Sequence, residues 1–146
     1  MKLPSSLERI SDYMFYMCTS LKKINFPKAL VEIGAFAFNH TALTSVTFHD
    51  GIERIGDYSF EGTSVTSVIL PPSCRYLGSW AFFDCASLSR TYLGRELEFV
   101  GSGVFYGCGK LPAIDYGGSE GDWKKYGSGL TAPVIDGKPV NFDVER

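Results

Sequence analysis

One short pattern of residue types recurs along the chain at a nearly fixed interval. Residues 30–38 read Leu-Val-Glu-Ile-Gly-Ala-Phe-Ala-Phe, and the same order ends at Phe15, Phe60, Phe82 and Phe105, in steps of 23, 22, 22 and 23 residues. A unit this short cannot bury its own apolar face, so repeats of this length stack into a solenoid. We predict five units, at residues 4–26, 27–48, 49–70, 71–93 and 94–116.

Each unit ends in a segment that predicts a short strand. Residues 43–48, Leu-Thr-Ser-Val-Thr-Phe, show the order apolar-x-x-apolar-x-apolar that all five units share. Such alternation indicates a strand with one buried face, and stacked strands pair in parallel about 4.8 Å apart. We therefore predict an α/β solenoid shaped as a horseshoe, with one parallel sheet on the concave face and short helical or irregular segments on the convex face.

After Tyr116 the repeat stops. Residues 117–126 are rich in glycine and polar residues around Trp123, and residues 133–142 read as two short strands about an Asp136-Gly137 turn. Because the last coil of a solenoid needs a cover, we predict that residues 117–146 form a capping segment with a hairpin and that Trp123 is its lid rather than a ligand platform. Nothing comparable precedes Pro4, so we expect an uncapped first coil, which implies a longer chain, a missing domain or self-association.

Charge and hydropathy exclude two kinds of partner. The chain has 16 acidic and 14 basic residues and no basic cluster, so nucleic-acid binding is not expected. It lacks an apolar run of the roughly 20 residues that span a bilayer, so no membrane insertion is expected. The first ten residues also lack the apolar stretch of a signal peptide.

The cysteines are interpreted as parts of the repeat. Cys18, Cys85 and Cys108 each follow a repeat phenylalanine by three residues, where Thr41 and Thr63 stand in the shorter units. We predict small side chains stacked inside each turn, and we keep a Cys85–Cys108 disulfide as the less favoured alternative. At an apolar position of its unit, Cys74 is expected to be a buried thiol.

Catalytic and metal chemistry find little support. There is no Cys-x-x-Cys pair, and the two histidines, His40 and His49, occupy variable positions where solvent exposure is expected. A nucleophile needs a nearby base, usually histidine, so we predict no catalytic residues, no metal and no cofactor. Asn39-His40-Thr41 is formally a glycosylation sequon.

Alternation in the strand-forming segments predicts which side chains face outward from the sheet. Ile69, Arg90 and Tyr92 combine the apolar, arginine and aromatic side chains typical of binding hot spots. Lys23, Asn25 and Asp115 share the predicted face. A partner-binding surface is one interpretation of this face, and a merely solvated sheet is the other.

The units resemble the BspA-type leucine-rich repeat family, whose pattern is Leu-x-x-Ile-Gly-x-x-Ala-Phe-x-x-Cys-x-x-Leu-x-x-Ile-x-Leu-Pro. Residues 34–38 and 80–88 match it almost letter for letter, and the resemblance covers residues 4–116. The departures are Ser11 for glycine, Val104 for alanine and Cys74 for leucine. The resemblance implies a leucine-rich repeat horseshoe in secreted or surface proteins of host-associated bacteria and some protists, often linked to adhesion.

Two functional hypotheses follow. The first is a non-enzymatic module of a bacterial cell-surface or secreted adhesin-like protein that holds a protein or glycan partner on the concave sheet. The second is a structural role, in which the uncapped first coil associates with another copy or with further repeats. The fold family does not name a ligand.

Overall fold

The computed structural model describes residues 2–125 and 134–146. Along these residues the chain forms ten short strands and one helix. In chain order they are β1 (Arg9–Ile10), β2 (Glu32–Ile33), β3 (Arg54–Ile55), β4 (Ser67–Ile69), β5 (Tyr76–Leu77), β6 (Arg90–Leu93), β7 (Phe99–Val100), β8 (Ile114–Tyr116), α1 (Glu120–Lys125), β9 (Val134–Ile135) and β10 (Lys138–Asn141).

The coils stack through paired strands, which confirms the predicted solenoid. The strands form two sheets, so the prediction of a single sheet is wrong. The signature sheet takes one strand from each unit in the order β1-β2-β3-β5-β7, all parallel. Its strands are only two residues long, one side chain outward and one buried. A run this short carries no recognisable alternation, which is why the sequence did not reveal it.

The terminal sheet contains the strands that the sequence predicted, in the order β4-β6-β8-β10-β9. Only units three, four and five contribute strands of their own to it. The corresponding segments of units one and two lie outside the sheet. Isolated backbone hydrogen bonds join them to their neighbours, such as the bond from Ser64 N to Leu43 O at 2.9 Å. An isolated parallel bridge joins Lys2 to Asn25, so the repeat pattern already includes residues ahead of Pro4.

Hydrogen-bonded turns connect the two sheets, and they are the irregular segments that the sequence predicted. We call them the turn wall, residues 12–17, 35–40, 57–62, 79–84 and 102–107. Backbone N–H groups of each turn donate to the next coil, as from Phe38 to Ser59 and from Phe60 to Ala81, both at 2.8 Å. The second and sixth residues of every turn have positive φ, between 54° and 80°.

A column of phenylalanines forms the centre of the core. The repeat rings stack face to face, with centroid distances of 5.2 Å for each of the first three steps and 6.0 Å for the last. The four inner rings are fully buried and the first is 8% exposed. The recurrent phenylalanine therefore holds successive coils together, as the repeat predicted. The column consists of Phe15, Phe38, Phe60, Phe82 and Phe105.

The tail packs against the fifth coil. Trp123 of α1 is 3% exposed and lies edge-on to Tyr116, with ring centroids 5.1 Å apart, so its ring is not available as a ligand platform. Strands β9 and β10 form an antiparallel hairpin around Asp136 and Gly137, and β10 pairs in parallel with β8. The tail thereby continues the terminal sheet. The division of the chain into domains at residue 116 stays a prediction.

One carboxylate of the tail completes the turn wall. The N–H of Phe105 points away from the fourth coil, as its equivalents do, and it donates to Asp136 Oδ2 at 2.9 Å. A hydrogen bond to a charged acceptor contributes about 1.5–3 kcal/mol, and its loss would leave a buried donor unsatisfied.

We expect Asp136→Ala to lower the free energy of unfolding by about 2 kcal/mol, because the Phe105 N–H loses its acceptor. Asp136→Asn is the matched control, since it keeps an acceptor oxygen and tolerates the positive φ of 49° at this position. Chemical denaturation of both variants measures the difference. Equal stability of Asp136→Ala and the wild type would contradict this role.

Candidate interaction surface

The outward face of the terminal sheet brings three of the predicted residues into one row. Ile69 pairs in register with Tyr92, and Tyr92 pairs with Asp115. Their neighbours along the strands point inward and are buried, which fixes the outward direction of the row. The neighbours are Val68, Leu70, Thr91, Leu93, Ile114 and Tyr116.

Tyr92 is half-buried and leans along the sheet toward the tail. A side chain at Gly117 would collide with the Tyr92 hydroxyl, so the missing side chain there makes room for the ring. In the sequence, this glycine marks only the place where the repeat ends. The structure shows that Gly117 also positions the one aromatic side chain of the row.

Arg90 lies in the next row of the same face, paired in register with Ser67, and it is exposed. Within residues 2–125 and 134–146, Arg90 forms no ion pair. The arginines of the signature sheet differ, because Glu32 lies 3.4 Å from Arg9 and 3.9 Å from Arg54. The charge of Arg90 is therefore available to a ligand.

Asp115 is engaged by the tail. Asn141 of β10 donates from its amide Nδ2 to Asp115 Oδ1 at 3.0 Å. This contact joins two neighbouring strands of the terminal sheet, and Asp115 is half-buried beneath it. Asp115 is therefore less available to a partner than Arg90.

Lys23 and Asn25 lie apart from this group. Both are exposed, but their segment is outside the terminal sheet, and Asn25 pairs only with Lys2. Two units separate Asn25 from Ile69, which corresponds to about 10 Å at the usual strand spacing. An open cleft of about 530 Å³ adjoins Asn25. Its lining residues are Lys2, Leu3, Ser5, Asn25, Phe26 and Pro27.

A row of side chains on the outward face of the signature sheet was not predicted from the sequence. Ion pairs join its first three side chains, the guanidinium of Arg54 lies 4.1 Å above the Tyr76 ring, and Tyr76 stacks on Phe99 at 4.6 Å. These groups satisfy one another, so the row stabilises the sheet and offers little to a ligand. The only sequence signal is the repeated Glu-Arg at the variable positions of the motif. The row consists of Arg9, Glu32, Arg54, Tyr76 and Phe99.

A second missed feature is a group of exposed apolar side chains on the first turn. Four large apolar residues are between 43% and 54% exposed. The sequence contains a signal for this group, namely two tyrosines and two methionines within the five residues 13–17. We call them the first-turn patch: Tyr13, Met14, Tyr16 and Met17.

The cysteines are free thiols, so the disulfide alternative does not occur. Cys85 and Cys108 donate to the carbonyls of Phe60 and Phe82 at 3.2 and 3.1 Å, in the way that Thr63 Oγ1 also donates to Phe60. The prediction of small side chains inside the turns is therefore confirmed for these positions. It is wrong for Cys18, which is exposed because no coil covers the first turn in this structure.

The pKa shifts of the buried thiols differ in direction: the pKa values of Cys74 and Cys108 are raised, whereas the hydrogen bond with Cys108 lowers the pKa of Cys85. Burial raises the pKa of Cys74 to about 12, and a backbone hydrogen bond with Tyr76 only partly offsets this rise. The hydrogen bond that Cys108 shares with Cys85, together with burial, raises the pKa of Cys108. Because the thiolate is the reactive form, Cys74 and Cys108 are poor nucleophiles and poor metal ligands at neutral pH.

The two histidines lie in different surroundings. His40 is exposed as predicted, 3.7 Å from Glu61. The prediction of exposure is wrong for His49, which is half-buried with its ring nitrogens 2.7 Å from the carbonyl oxygens of Asp50 and Pro27. Asn39 is 2% exposed and donates to Glu61 at 2.7 Å, so the sequon is not accessible.

No group of three or more metal-ligating side chains lies together in residues 2–125 and 134–146. In the same part of the chain, no helix has the length and apolar character needed to cross a membrane.

The stacked coils, two parallel sheets and phenylalanine column define a leucine-rich repeat solenoid. The chain belongs to the family described as the BspA type leucine rich repeat region, whose profile matches residues 1–112 with six copies. The sequence predicted five units. The bridge between Lys2 and Asn25 shows that the repeat pattern extends ahead of the first of them.

Solved structures share this fold. A leucine-rich repeat protein from Bacteroides ovatus has a TM-score of 0.74 at 31% identity, over 78% of this chain and 30% of that one. The pneumococcal vaccine antigen PcpA has a TM-score of 0.73 at 18% identity, over 97% of this chain and 35% of that one. The Treponema pallidum leucine rich repeat protein has a TM-score of 0.67 at 24% identity, over 95% of this chain and 77% of that one.

The chain therefore spans about a third of the length of the first two of these structures. A comparison with curated proteins found no match.

Proposed function

We propose that this chain is a non-enzymatic interaction module that holds a partner on the outward face of the terminal sheet. The observation that carries the proposal is Arg90, an exposed arginine with no counter-ion among the described residues, beside the half-buried Tyr92 and Ile69. Arginine and aromatic side chains supply much of the binding energy at protein interfaces. The family and the solved leucine-rich repeat structures support a repeat-based interaction module.

The chemistry of this face favours a protein partner with an acidic group next to an apolar one. A carboxylate would pair with the Arg90 guanidinium in a bidentate manner, and an apolar side chain would pack on Ile69 and the Tyr92 ring. A glycan that carries a carboxylate shares part of this chemistry, and the binding experiment distinguishes the two.

We also propose that the module belongs to a bacterial cell-surface or secreted adhesin-like protein. Support comes from the pneumococcal protein, whose description as a vaccine antigen concerns that protein and fits exposure on the outside of a cell. Its identity to this chain is only 18%, so it supports the fold, while the location and the partner are part of the proposal.

The test is a binding screen of the chain against host extracellular proteins and a glycan array, followed by affinity measurements on the partner found. We expect Arg90→Ala and Tyr92→Ala each to weaken binding about tenfold, which corresponds to about 1.4 kcal/mol. The melting temperature should change little, because Arg90 is exposed and Tyr92 lies on the outward face rather than in the core. Arg54→Ala on the signature sheet is the matched control and should bind as the wild type does.

Unaltered affinity of both variants would reject this face as the binding surface. Binding only to acidic glycans on the array would replace the protein partner with a glycan one. Failure to bind any member of either panel counts against the interaction module and favours the second candidate.

The second candidate function is structural, with self-association through the first coil. The observation that favours it is the first-turn patch, which contains four of the six large apolar residues found exposed in the described part of the chain.

A further inference from the structure

We infer that the face around Arg90 extends to Lys23 in the first coil and binds an extended acidic segment of a protein partner. One carboxylate of the segment pairs with Arg90, and a second pairs with Lys23. The inference rests on the proposed function, because it describes the partner held on the same face. We call the terminal sheet together with the equivalent segments of the other units the terminal wall, residues 19–28, 41–50, 63–72, 86–95 and 109–118.

The terminal wall carries a positive charge that the rest of the chain does not share. Its five segments contain six basic residues and two acidic ones, which gives a formal charge of +4. The whole chain has 14 basic and 16 acidic residues, so the remaining residues include eight basic and 14 acidic ones, a formal charge of −6. A surface polarised in this way attracts and orients a partner of negative charge.

The basic side chains at the two ends of this face have no acidic partner. In the part of the chain that the structure describes, the ion pairs of the terminal wall are limited to Arg95 with Asp122 of the tail, at 3.6 Å. Lys22, Lys23 and Arg90 are exposed and form no ion pair there. Their charges are therefore available to carboxylates of a partner.

The repeat places Lys23 in line with Arg90. Arg90 pairs in register with Ser67 of β4. In units two and one the equivalent residues are Ser45 and Lys23, and both are exposed. Three coil steps separate the two cationic side chains, which corresponds to about 14 Å at the usual strand spacing.

The first two coils keep this stacking although they lie outside the terminal sheet. Thr44 N donates to the carbonyl oxygen of Lys22 at 3.4 Å. At the equivalent positions of units three and four, Ser89 N donates to the carbonyl oxygen of Thr66 at 3.0 Å. The same spacing therefore applies at both ends of the face.

Coils that stack beside the first one leave this face open. Repeat units stack along the axis of the solenoid, so a neighbouring coil lengthens each wall and does not cover it. The bridge from Lys2 to Asn25 is an example, since it places Lys2 beside Asn25 on the outward face, where Lys2 is exposed. Lys2 adds a further positive charge to the same end of the face.

The residues between the two ends suit the backbone of an extended segment. Hydroxyl groups both donate and accept hydrogen bonds, so they can serve the N–H and C=O groups of a partner's main chain. Residues 41–48 and 63–72 contain no acidic residue that would repel carboxylates. The exposed or half-buried hydroxyl side chains in this stretch are Thr44, Ser45, Thr47, Thr66 and Ser67.

The distance between the ends sets the spacing of the carboxylates. An extended chain advances about 3.3–3.6 Å per residue, so about 14 Å corresponds to about four residues. Side chains four residues apart lie on the same side of an extended segment, because their direction alternates with a period of two. Acidic residues at positions i and i+4 therefore reach Arg90 and Lys23 together, and an apolar side chain two residues further along can pack on the Tyr92 ring.

Synthetic peptides test the inference, because they separate the spacing of the charges from their number. The probe is Leu-x-Glu-x-x-x-Glu-x-Leu, with serine and glycine at x, which reads the same in both directions. The control peptide, Leu-x-Glu-x-x-Glu-x-x-Leu, has the same composition but directs its carboxylates to opposite sides. In fluorescence anisotropy at low salt, we expect the probe to bind at least about fivefold more tightly than the control, and to weaken as salt is raised.

Variants of the chain test the first-coil end of the face. Lys23→Gln should weaken binding of the probe about fivefold, and Lys23→Arg, which keeps the charge, should bind as the wild type does. Lys124→Gln is the matched control, because it removes the same charge from α1, where the Lys124 side chain is 58% exposed. It should leave the affinity unchanged. The melting temperature of each variant checks that the fold is kept.

The outcomes separate this inference from the proposed function. A loss of affinity in Arg90→Ala but not in Lys23→Gln overturns the extension to the first coil and leaves the proposed function standing. Equal binding of the two peptides, or binding of neither, overturns the acidic segment, while the screen of proteins and glycans still decides the proposed function. Tighter binding of a sulfated heparin fragment than of the probe, with the same dependence on Lys23, replaces the protein segment with an acidic glycan. Unaltered binding in both Arg90→Ala and Lys23→Gln overturns the inference and the proposed function together.

Discussion

Replacing Phe60 with alanine is expected to lower the free energy of unfolding by about 3–5 kcal/mol. Phe60 is fully buried, with the rings of Phe38 and Phe82 each 5.2 Å away and Phe48 edge-on at 5.6 Å. The substitution removes the transfer energy of the ring and leaves a cavity. Neighbouring coils cannot collapse into it, because backbone hydrogen bonds hold their spacing.

Urea denaturation of Phe60→Ala measures this loss. Tyr106→Ala is the control, since its ring is exposed and its removal should cost less than about 0.5 kcal/mol. Phe15→Ala should fall between them, because Phe15 ends the column and has a stacked ring on one face only. A loss below about 1 kcal/mol for Phe60→Ala would show that this ring is not part of the core.

Gly56→Ala is expected to destabilise the chain by about 3 kcal/mol. A Cβ at Gly56 would lie 2.7 Å from Ala35 N and 2.7 Å from the carbonyl carbon of Gly34, both backbone atoms of the preceding coil. Those atoms cannot move away without breaking the bond from Gly56 N to Ile33 O, which is 2.8 Å long. A loss of stability would be informative, because glycine-to-alanine changes at unstrained sites usually stabilise the folded protein by restricting the unfolded chain.

Ser11→Ala provides the matched control for Gly56→Ala. Ser11 holds the equivalent position in the first unit, where a side chain is already present. We expect its replacement to change stability by less than about 0.5 kcal/mol. Equal stability of Gly56→Ala and the wild type, measured by thermal and urea denaturation, would show that coils do not approach each other through this glycine.

The sequence predicted the core well because each unit repeats the residues that form it. The period of 22 or 23 residues places every repeat phenylalanine above the last, and stacking follows from the need of each unit to bury its apolar face.

The signature sheet and the geometry of the turns could not be predicted from the sequence. Two-residue strands such as β3 have no alternation to detect, and their pairing depends on the stacking itself. The positive φ of Phe36, Tyr58 and Trp80 is uncommon for bulky residues, and bonds between coils hold it in place. The one signal was glycine at equivalent positions of other turns, namely Gly62, Gly103 and Gly107.

The candidate surface was predictable in its direction but not in its electrostatics. Alternation placed Arg90 and Tyr92 on the outward face, because successive side chains of a strand point to opposite sides. Whether Arg90 has a counter-ion and whether Asp115 is already engaged depend on residues far along the chain, such as Asn141. Neither follows from local pattern.

Amide hydrogen exchange followed by NMR tests the stacked coils most directly. The N–H groups of Phe38, Phe60 and Phe82 donate to the next coil at 2.8–3.0 Å. If the coils form one cooperative column, all three amides should exchange only through global unfolding, with equal protection that matches the measured unfolding free energy. Exchange of the Phe60 amide at the rate of an unstructured peptide, or separate levels of protection for the three amides, would contradict the account.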